Sequence, residues 1–394
     1  MIREDETRFF LNSPTISASS TADLASREPL NFHRRLPDYA PTPLINAPEV
    51  ARRLGIRQLL VKNESSRLGL PAFKILGASW AVYRTLETRL GKSLEPWGTL
   101  ADLTAKLAPL RPLTLVTATD GNHGRAVAHI AALFGLGARI FVPAGTAQAR
   151  IDGIASEGAR VEVIEGTYDD AVERAAREAN DRCLVISDTS WSGYEQIPQW
   201  VMEGYSTILW EIEDEMDRRG EKMSDLFPIQ FGVGALAAAL VRHVFSRMPK
   251  IVSVEPLQAA CALASIEAGQ IVSLPGPHDS IMAGLNCGRP SLIAWPVVSR
   301  GIHSFLAIPD ERAREAMRAL AAEGIVAGET GAASLAGLIE ILTGDGNRKY
   351  RSALGVTEET RAILLVTEGA TDPAAYQQIV GKDGSAPGGE TLQG

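Results

Sequence analysis

The stretch Leu113-Thr114-Leu115-Val116-Thr117-Ala118-Thr119-Asp120-Gly121-Asn122-His123-Gly124 decides the fold, because an apolar strand runs into a glycine-bounded turn that opens a helix. Such strand–turn–helix units are the repeating element of parallel α/β sheets. The turn lies at the carboxyl end of the strand, where open sheets bind their ligands. Its backbone N–H groups lead into a helix N-terminus, so the sequence predicts an anion site that suits a substrate carboxylate.

Strands and helices alternate along the chain after this unit, which indicates a parallel sheet with helical crossovers. We expect a smaller α/β domain over residues 77–178, compact enough to move, and a larger domain formed by residues 1–76 and 179–394. The predicted strands of this alternating pattern are 113–117, 138–142, 160–164 and 183–187. The predicted helices between them are 124–134, 147–157 and 168–180.

Composition favours an enzyme that acts on small molecules. The chain has 394 residues, of which 45% are hydrophobic, and a formal net charge of −8. Such an acidic surface repels nucleic acids and anionic membranes. The charged N-terminal residues lack the apolar core of a signal peptide, and we find no apolar run of about 18 residues, so we expect a cytoplasmic protein without a membrane span.

Cysteine and histidine positions give no support for a metal site. The three cysteines, Cys183, Cys261 and Cys287, are too scattered for a disulfide scaffold or a metal-binding CxxC pair. The six histidines form no ligand cluster along the chain. Cys261 and Cys287 could form a local redox-sensitive pair or remain reduced thiols, and the sequence leaves both alternatives open.

A second stretch, Pro71-Ala72-Phe73-Lys74-Ile75-Leu76-Gly77-Ala78, places a lone lysine among apolar and small residues at a predicted helix start. A lysine in the first turn opposes the helix dipole, which is unusual for a structural position. Burial would lower the pKa of Lys74 and leave its amine free to form a Schiff base, as pyridoxal phosphate requires. An ordinary surface lysine at a helix start is the alternative.

Two further motifs have both a functional and a structural interpretation. The turn Gly232-Val233-Gly234-Ala235-Leu236 follows an apolar strand and opens a helix, so it suits a phosphate or serves only as a tight turn. Asp188, in Asp188-Thr189-Ser190-Trp191-Ser192-Gly193-Tyr194, either emerges into a site at the carboxyl end of a strand or caps a loop.

These motifs, in this order and together with Thr367-Glu368-Gly369, resemble the fold-type II pyridoxal-phosphate enzymes, the tryptophan synthase β group. The resemblance runs from about Pro41 to Asp372 and includes Ile281-Met282-Ala283-Gly284-Leu285. It implies two open, twisted, mostly parallel sheets flanked by helices, an active site between two lobes, and a homodimer. Within the group the chain most resembles the diaminopropionate ammonia-lyases, because Asp120 stands where serine and threonine dehydratases usually carry serine.

By this resemblance Lys74 forms the Schiff base with pyridoxal 5'-phosphate, Asn122 bonds its phenolic oxygen and Thr367 contacts its ring nitrogen. Glu329 lies in Gly328-Glu329-Thr330-Gly331, which is similar to the family's Gly-Glu-Ser-Gly. The implied cofactor-binding residues are Phe73, Lys74, Asn122, Gly232, Val233, Gly234, Ala235, Leu236 and Thr367. The implied catalytic residues are Lys74, Asp120 and Asp188, and the implied substrate-binding residues are Thr119, Asp120, Gly121, His123, Tyr168 and Asp188.

The resemblance implies elimination of ammonia from D- or L-2,3-diaminopropionate through aminoacrylate, with pyruvate and ammonia as products. A carboxylate such as Asp120, beside a carboxylate-binding turn, would repel the substrate unless it meets a cation or moves a proton. Diaminopropionate offers both. The alternatives are a serine, threonine or hydroxyaspartate dehydratase of the same fold, and a non-catalytic protein that binds pyridoxal phosphate or an amino acid. A nucleotide-dependent oxidoreductase is disfavoured, since no Gly-x-Gly-x-x-Gly with a downstream acidic residue is present.

Overall fold

The protein is represented by a computed structural model that describes residues 7–15, 26–244, 249–344 and 346–381. Its strands form a seven-stranded and a four-stranded sheet with helices packed around them. The strands are β1 (Arg8–Leu11), β2 (Leu44–Asn46), β3 (Gln58–Asn63), β4 (Thr114–Ala118), β5 (Gly137–Pro143), β6 (Arg160–Ile164), β7 (Cys183–Val185), β8 (Leu226–Gln230), β9 (Lys250–Pro256), β10 (Ser304–Ile308) and β11 (Arg361–Val366). The helices are α1 (Glu28–His33), α2 (Pro48–Leu54), α3 (Lys74–Leu90), α4 (Leu100–Leu107), α5 (Asn122–Leu133), α6 (Gln148–Ala155), α7 (Tyr168–Ala176), α8 (Gln196–Arg219), α9 (Ala235–Val244), α10 (Cys261–Ala268), α11 (Trp295–Gly301), α12 (Asp310–Ala322), α13 (Ala333–Thr343), α14 (Asn347–Leu354) and α15 (Pro373–Val380).

The smaller sheet has the strand order β6-β5-β4-β7, and every neighbouring pair is parallel. Its strands and the helices α5, α6 and α7 lie where the alternating pattern predicted them, with ends that differ by a few residues. The division at residues 76/77 and 178/179 stays a prediction. However, β7, which that division assigns to the larger domain, pairs with β4 of the smaller sheet. Strand β7 has only three residues, and the sequence of so short a strand does not indicate which sheet it joins.

The larger sheet has the order β1-β10-β9-β8-β11-β3-β2. Its five central strands are parallel, whereas β1 and β2 add to the two edges in antiparallel orientation. All residues of β8 and β10 are buried, as expected for parallel strands covered by helices on both faces. The predicted α/β class with two mostly parallel sheets is confirmed. At their carboxyl ends, β8 and β11 lead to the Gly232 turn and to Thr367, while β4 and β7 lead to Asp120 and Asp188.

Helix α3 crosses α8 at close range because both helices carry glycine at the crossing. A Cβ atom at Gly204 would lie 2.4 Å from the carbonyl oxygen of Leu76, and one at Gly77 would lie 2.5 Å from the Tyr205 ring. His33 of α1 fixes the same crossing through Nε2, which is 2.9 Å from the Leu76 oxygen, and Nδ1, which is 2.7 Å from Thr207 Oγ1. The start of α3, and with it Lys74, therefore has a defined position against α8.

A buried group of four charges ties α8 to the segment that leads into α3. Arg67 donates to Glu64 at 2.6 Å and to Glu211 at 2.7 Å, and Lys62 donates to Glu211 at 2.7 Å. All four side chains are at most 2% exposed. Burial raises the pKa of Glu211, but Arg67 and Lys62 outweigh that effect, so its pKa is lowered and the carboxylate stays ionised.

Within the described residues, no helix has both the length and the hydropathy needed to cross a membrane. No group of three or more His, Cys, Asp or Glu residues in that part of the chain could hold a metal ion. Cys183, Cys261 and Cys287 are free thiols. Cys261 and Cys287, whose pairing the sequence left open, are both buried.

We expect Glu211→Gln to destabilise the protein by about 3–5 kcal/mol, because it removes the only carboxylate paired with buried Lys62 among the described residues and leaves Glu64 as the single counter-charge for two buried cations. Urea unfolding measures this change. Asp214→Asn is the matched control, since Asp214 lies on the same helix and pairs with Arg27 at a surface where both side chains are about two-fifths exposed. This control should cost at most about 1 kcal/mol. Equal losses in the two variants would show that the buried group does not contribute as described.

Candidate active site

Lys74 lies at the first position of α3, as predicted, and its side chain is 21% exposed. Its Nζ atom donates a hydrogen bond to Asp188 Oδ2 at 2.6 Å. Burial lowers the pKa of Lys74, but the negative charge of Asp188 outweighs burial, so the pKa is raised. The prediction of a lowered pKa is therefore wrong for this arrangement. Its apolar neighbours are visible in the sequence, whereas the carboxylate is 114 residues away along the chain.

Asp188 follows β7 and accepts hydrogen bonds on both carboxylate oxygens. Lys74 binds Oδ2, and the Tyr168 hydroxyl donates to Oδ1 at 3.2 Å. Burial raises the pKa of Asp188, but the positive charge of Lys74 outweighs burial, so the pKa of Asp188 is lowered. His123 is bonded to the Ile186 carbonyl oxygen at 2.8 Å through Nε2, and its Nδ1 lies 4.0 Å from Asp188. Because burial lowers the pKa of His123, the imidazole is neutral at physiological pH.

Asp120 differs from Asp188 in the direction of its pKa shift. Burial raises the pKa of Asp120 to about 6, although the charges of Arg150 and Lys74 act in the opposite direction. A carboxyl group with this pKa is ionised at neutral pH and is still a useful proton acceptor. Two carboxylates thus face Lys74 with pKa values shifted in opposite directions.

The predicted carboxylate-binding turn is only partly available to a ligand. The Gly121 amide donates to Thr119 Oγ1 at 2.9 Å, so this amide is not free to bind a ligand, while the Thr119 hydroxyl keeps its proton for an acceptor. The amides of the first turn of α5 have no acceptor within the helix and can bind an anion. Gly124 lets this turn approach β4, because a Cβ atom there would lie 2.3 Å from Thr119 Cγ2.

The Gly232–Leu236 turn fits a phosphate group. Among the residues that the structure describes, the amides of Gly232, Val233 and Gly234 donate to no acceptor. Their donors lie next to the N-terminus of α9, which favours an anion. Gly234 has a φ angle of +95°, and a Cβ atom there would lie 2.5 Å from the Phe231 ring. Glycine is therefore required at this position.

Thr367 fits the predicted contact with an unprotonated ring nitrogen. Its Oγ1 accepts a hydrogen bond from Gln230 Nε2 at 2.9 Å, while Gln230 Oε1 accepts from Ser334 at 2.5 Å. The amide of Gln230 therefore uses the acceptor side of the Thr367 hydroxyl and leaves its proton for another acceptor. Pyridoxal phosphate supplies both an acceptor nitrogen and a phosphate, so these residues fit the cofactor.

Asn122 has a partner that the sequence did not predict. Its side-chain amide donates to Glu368 Oε2, and Glu368 Oε1 accepts from the Thr330 amide at 3.1 Å. Asn122 still lines the cavity, so its contact with the phenolic oxygen stays a prediction. Glu368 is part of the Thr367-Glu368-Gly369 motif, but nothing in the sequence indicates that it bonds to Asn122.

The structure brings the predicted residues into one cavity, with the exception of Gly121. Sequence reasoning missed some residues that line the cavity. Gly284, Leu285 and Thr330 were visible as parts of stretches similar to the family, while Gln230 and Cys287 were not indicated as cavity residues. The predicted residues that line this cavity are Phe73, Lys74, Thr119, Asp120, Asn122, His123, Tyr168, Asp188, Gly232, Val233, Gly234, Ala235, Leu236 and Thr367.

Comparison with known proteins gives consistent results. A family described as "Pyridoxal-phosphate dependent enzyme" matches residues 36–358. Diaminopropionate ammonia-lyase from Salmonella typhimurium is 35% identical over 91% of this chain and 92% of that protein. The crystal structure of diaminopropionate ammonia lyase from Escherichia coli in complex with D-serine has a TM-score of 0.86 and 31% identity, over 96% of this chain and 97% of that one. The same enzyme in complex with an aminoacrylate-PLP azomethine reaction intermediate has a TM-score of 0.84 and 32% identity, over 97% and 98% of the two chains. The predicted fold class, cofactor and family resemblance are confirmed.

We expect Gly234→Ala to weaken pyridoxal phosphate binding about tenfold or more, since a side chain at this φ angle strains the turn and collides with Phe231. Equilibrium dialysis of the purified protein gives the dissociation constant. Gly220→Ala is the control, because Gly220 also has a positive φ angle, +64°, but has open space around its Cβ position. Cofactor affinity that falls equally in both variants would place the phosphate elsewhere.

Proposed function

The chain belongs to the pyridoxal-phosphate dependent enzyme family, and we propose that it acts there as a diaminopropionate ammonia-lyase. The reaction is elimination of ammonia from D- or L-2,3-diaminopropionate, with pyruvate and ammonia as final products. Relatives with this name are 35% and 34% identical to the chain over more than nine-tenths of its length. The observation that carries the proposal is the presence of two carboxylates, Asp120 and Asp188, around Lys74.

These two carboxylates match the charge of the substrate. Lys74 neutralises Asp188 in the structure, but its amine would no longer be a free ammonium partner for Asp188 when it holds the cofactor. Asp188 then requires another cation, since an unpaired buried carboxylate is costly. A diamino acid has a second ammonium group that can take this place. Serine or threonine has none, so it would leave one carboxylate without a partner.

The cofactor would be held by Lys74, by the amides of the Gly232–Leu236 turn and by Thr367. When bound, pyridoxal phosphate supplies a ring that accepts the electron pair released at the substrate Cα atom. The Thr367 hydroxyl accepts from Gln230, so its proton would be available to the ring nitrogen of the bound cofactor, which it would contact without protonating it. A weaker electron acceptor of this kind favours elimination, in which the electrons leave promptly with the β-substituent.

Asp188 holds the distal ammonium group and keeps it protonated. Tyr168 orients the Asp188 carboxylate through its hydrogen bond to Oδ1. A carboxylate whose pKa is held low does not remove a proton from an ammonium group. The β-nitrogen therefore retains its three protons until the C–N bond breaks and leaves as neutral ammonia.

Proton removal from Cα differs between the enantiomers, because each presents this proton to a different face. A single base reaches only one face in good geometry. We assign Lys74 to the L form and Asp120 to the D form. The amides at the start of α5 bind the substrate carboxylate and so keep Cα between these two groups.

The direct test compares the purified holoenzyme on D- and L-diaminopropionate, serine and threonine, with the 2-oxo acid and ammonia as readouts. We expect kcat/KM for diaminopropionate to exceed that for serine or threonine by about 10² or more, since a site built around a second ammonium group rejects analogues that lack it. Faster turnover of serine or threonine would favour the dehydratase alternative. Binding without turnover of any of them would favour a non-catalytic protein.

The proposal also includes a cytoplasmic homodimer. Three free cysteines suit a reducing compartment, and the dimer is supported only by the family resemblance. Light scattering on the purified holoenzyme measures its mass in solution.

Asp120→Asn should lower turnover of D-diaminopropionate by about 10² to 10⁴, because it removes a positioned base but keeps the shape of the side chain. Turnover of the L form should keep a larger share of its rate. Separate assays of the two enantiomers measure this difference. Asp188→Asn is the comparison variant and should impair both enantiomers alike. Equal losses for both in Asp120→Asn would identify Asp120 as an amine-binding group.

The pH dependence should also separate the enantiomers. Asp120 accepts a proton only when it is ionised, and its pKa is raised to about 6. The value of kcat/KM for the D form should therefore rise about tenfold per pH unit below 6 and level off above it. Titration of the substrate amines affects both enantiomers equally, so the ratio of D to L cancels it and compares the two proposed bases, Asp120 and Lys74. A ratio that is constant between about pH 5 and 8 would contradict this assignment.

A further inference from the structure

Arg150 lies on α6, a helix that connects β5 and β6 of the smaller sheet, and it lacks the hydrogen-bond partners that a buried cation usually has. Its side chain is 10% exposed. Its Nε atom is buried and has no hydrogen-bond partner among the described residues. The Glu329 carboxylate is close by, but its Oε2 atom lies 4.0 Å from Nη2, which is beyond hydrogen-bonding distance. A buried guanidinium group without an acceptor is costly, so the site is built to receive one.

Arg150 lines a second cavity of about 440 Å³ that lies next to the active site. Asp120 and Tyr168 line both cavities and therefore form their common boundary. On its other side the second cavity reaches the exposed residues Pro277 and Asp279. A molecule from solvent can thus reach Asp120 by way of Arg150.

The position of Arg150 explains why Gly121 is a glycine although it does not line the active site. A Cβ atom at Gly121 would lie 3.1 Å from Arg150 Cδ, and the Gly121 φ angle is +153°. The stem of Arg150 therefore packs directly on the backbone of the carboxylate-binding turn. This contact fixes the stem and leaves the guanidinium group directed at the cavity.

The charges in the second cavity suit a molecule with one carboxylate and two ammonium groups. Arg150 is the only arginine or lysine among the described residues that line it. The lining also contains four carboxylates, those of Asp120, Asp279, Glu329 and Asp372. Burial raises the pKa of Glu329, so this group gains from a nearby cation. A guanidinium fork binds a planar carboxylate through two parallel hydrogen bonds.

We propose that this second cavity is a docking subsite in which Arg150 binds the carboxylate of an incoming diamino acid while Glu329 and Asp372 attract its ammonium groups. The subsite is separate from the turn at the start of α5 and precedes it on the path to Lys74. Its identification with 2,3-diaminopropionate rests on the proposed function. Arg150 is a positioning residue that raises the rate of capture and does not take part in bond breaking.

The first test measures binding without turnover. The probe is 3-(trimethylammonio)propionate, which has a carboxylate and a cation but no N–H group with which to form a Schiff base. Equilibrium dialysis against the holoenzyme should show binding that weakens about tenfold or more in Arg150→Gln, as expected for loss of a charged hydrogen-bond pair. Arg150→Lys should keep part of the affinity, because it retains the charge but not the planar fork.

Arg160→Gln is the control for the loss of one positive charge. Arg160 begins β6, next to α6 in the chain, but its side chain is 75% exposed and does not line the second cavity. This variant should bind the probe as the unmodified protein does. Failure of the unmodified holoenzyme to bind the probe, or equal binding by the Arg150→Gln variant, would overturn the docking subsite. Neither outcome depends on turnover, so both can be distinguished from failure of the proposed function, which is inactivity on diaminopropionate.

The second test uses the L enantiomer, because its proposed base is Lys74 and a change at Asp120 affects it least. Arg150→Gln should lower kcat/KM for L-diaminopropionate about tenfold or more and lower kcat much less, since capture is lost and chemistry is kept. A loss restricted to the D enantiomer would show that Arg150 acts only through Asp120. A loss in kcat with KM unchanged would show that it acts in the chemical step. Either result would overturn the proposal.

Discussion

The ion pair between Lys74 Nζ and Asp188 Oδ2, 2.6 Å apart, joins the two halves of the site. Lys74 opens α3, which is fixed against α8 by the Gly77 and Gly204 crossing and by the buried charges around Arg67. Asp188 follows a strand of the smaller sheet. The other site groups lie around this pair because parallel strands of both sheets end at the same cleft.

The pair also explains why two aspartates in one cavity behave differently. Asp188 is bonded to a cation and has a lowered pKa, whereas Asp120 has no hydrogen-bonded cation among the described residues and has a pKa raised to about 6. Environment thus separates a carboxylate that binds a cation from one that can accept a proton, as in other enzymes with paired carboxylates. The assignment of the two roles follows from this difference and not from residue type.

Local sequence patterns predicted the parts of the fold that depend on local forces. The strands around Leu115 and Ile140 and the helix that begins at Lys74 follow from apolar periodicity and glycine turns. The family motifs added the residues of the site. Long-range pairing could not be predicted in the same way: the pKa of Lys74, the bond between Asn122 and Glu368, and the edge strands β1 and β2 depend on residues far apart in the chain. The sequence did not indicate a binding role for Arg150, because that inference depends on its buried Nε atom having no hydrogen-bond acceptor in the described structure.

Hydrogen bonds across the cleft are present in some places and lacking between Arg150 and Glu329, and this difference affects where a substrate can enter the site. Lys74 and Asp188 form a hydrogen-bonded ion pair, Asn122 donates to Glu368, and Ser190 Oγ lies 2.6 Å from Ser291 Oγ. These bonds connect the two sides of the cleft. Arg150 and Glu329 face each other at 4.0 Å without a hydrogen bond, and the 440 Å³ cavity lies beside them. Because Arg150 and Glu329 are not joined by a hydrogen bond, this is the part of the cleft where a carboxylate and an ammonium group can supply the contacts that the two side chains lack.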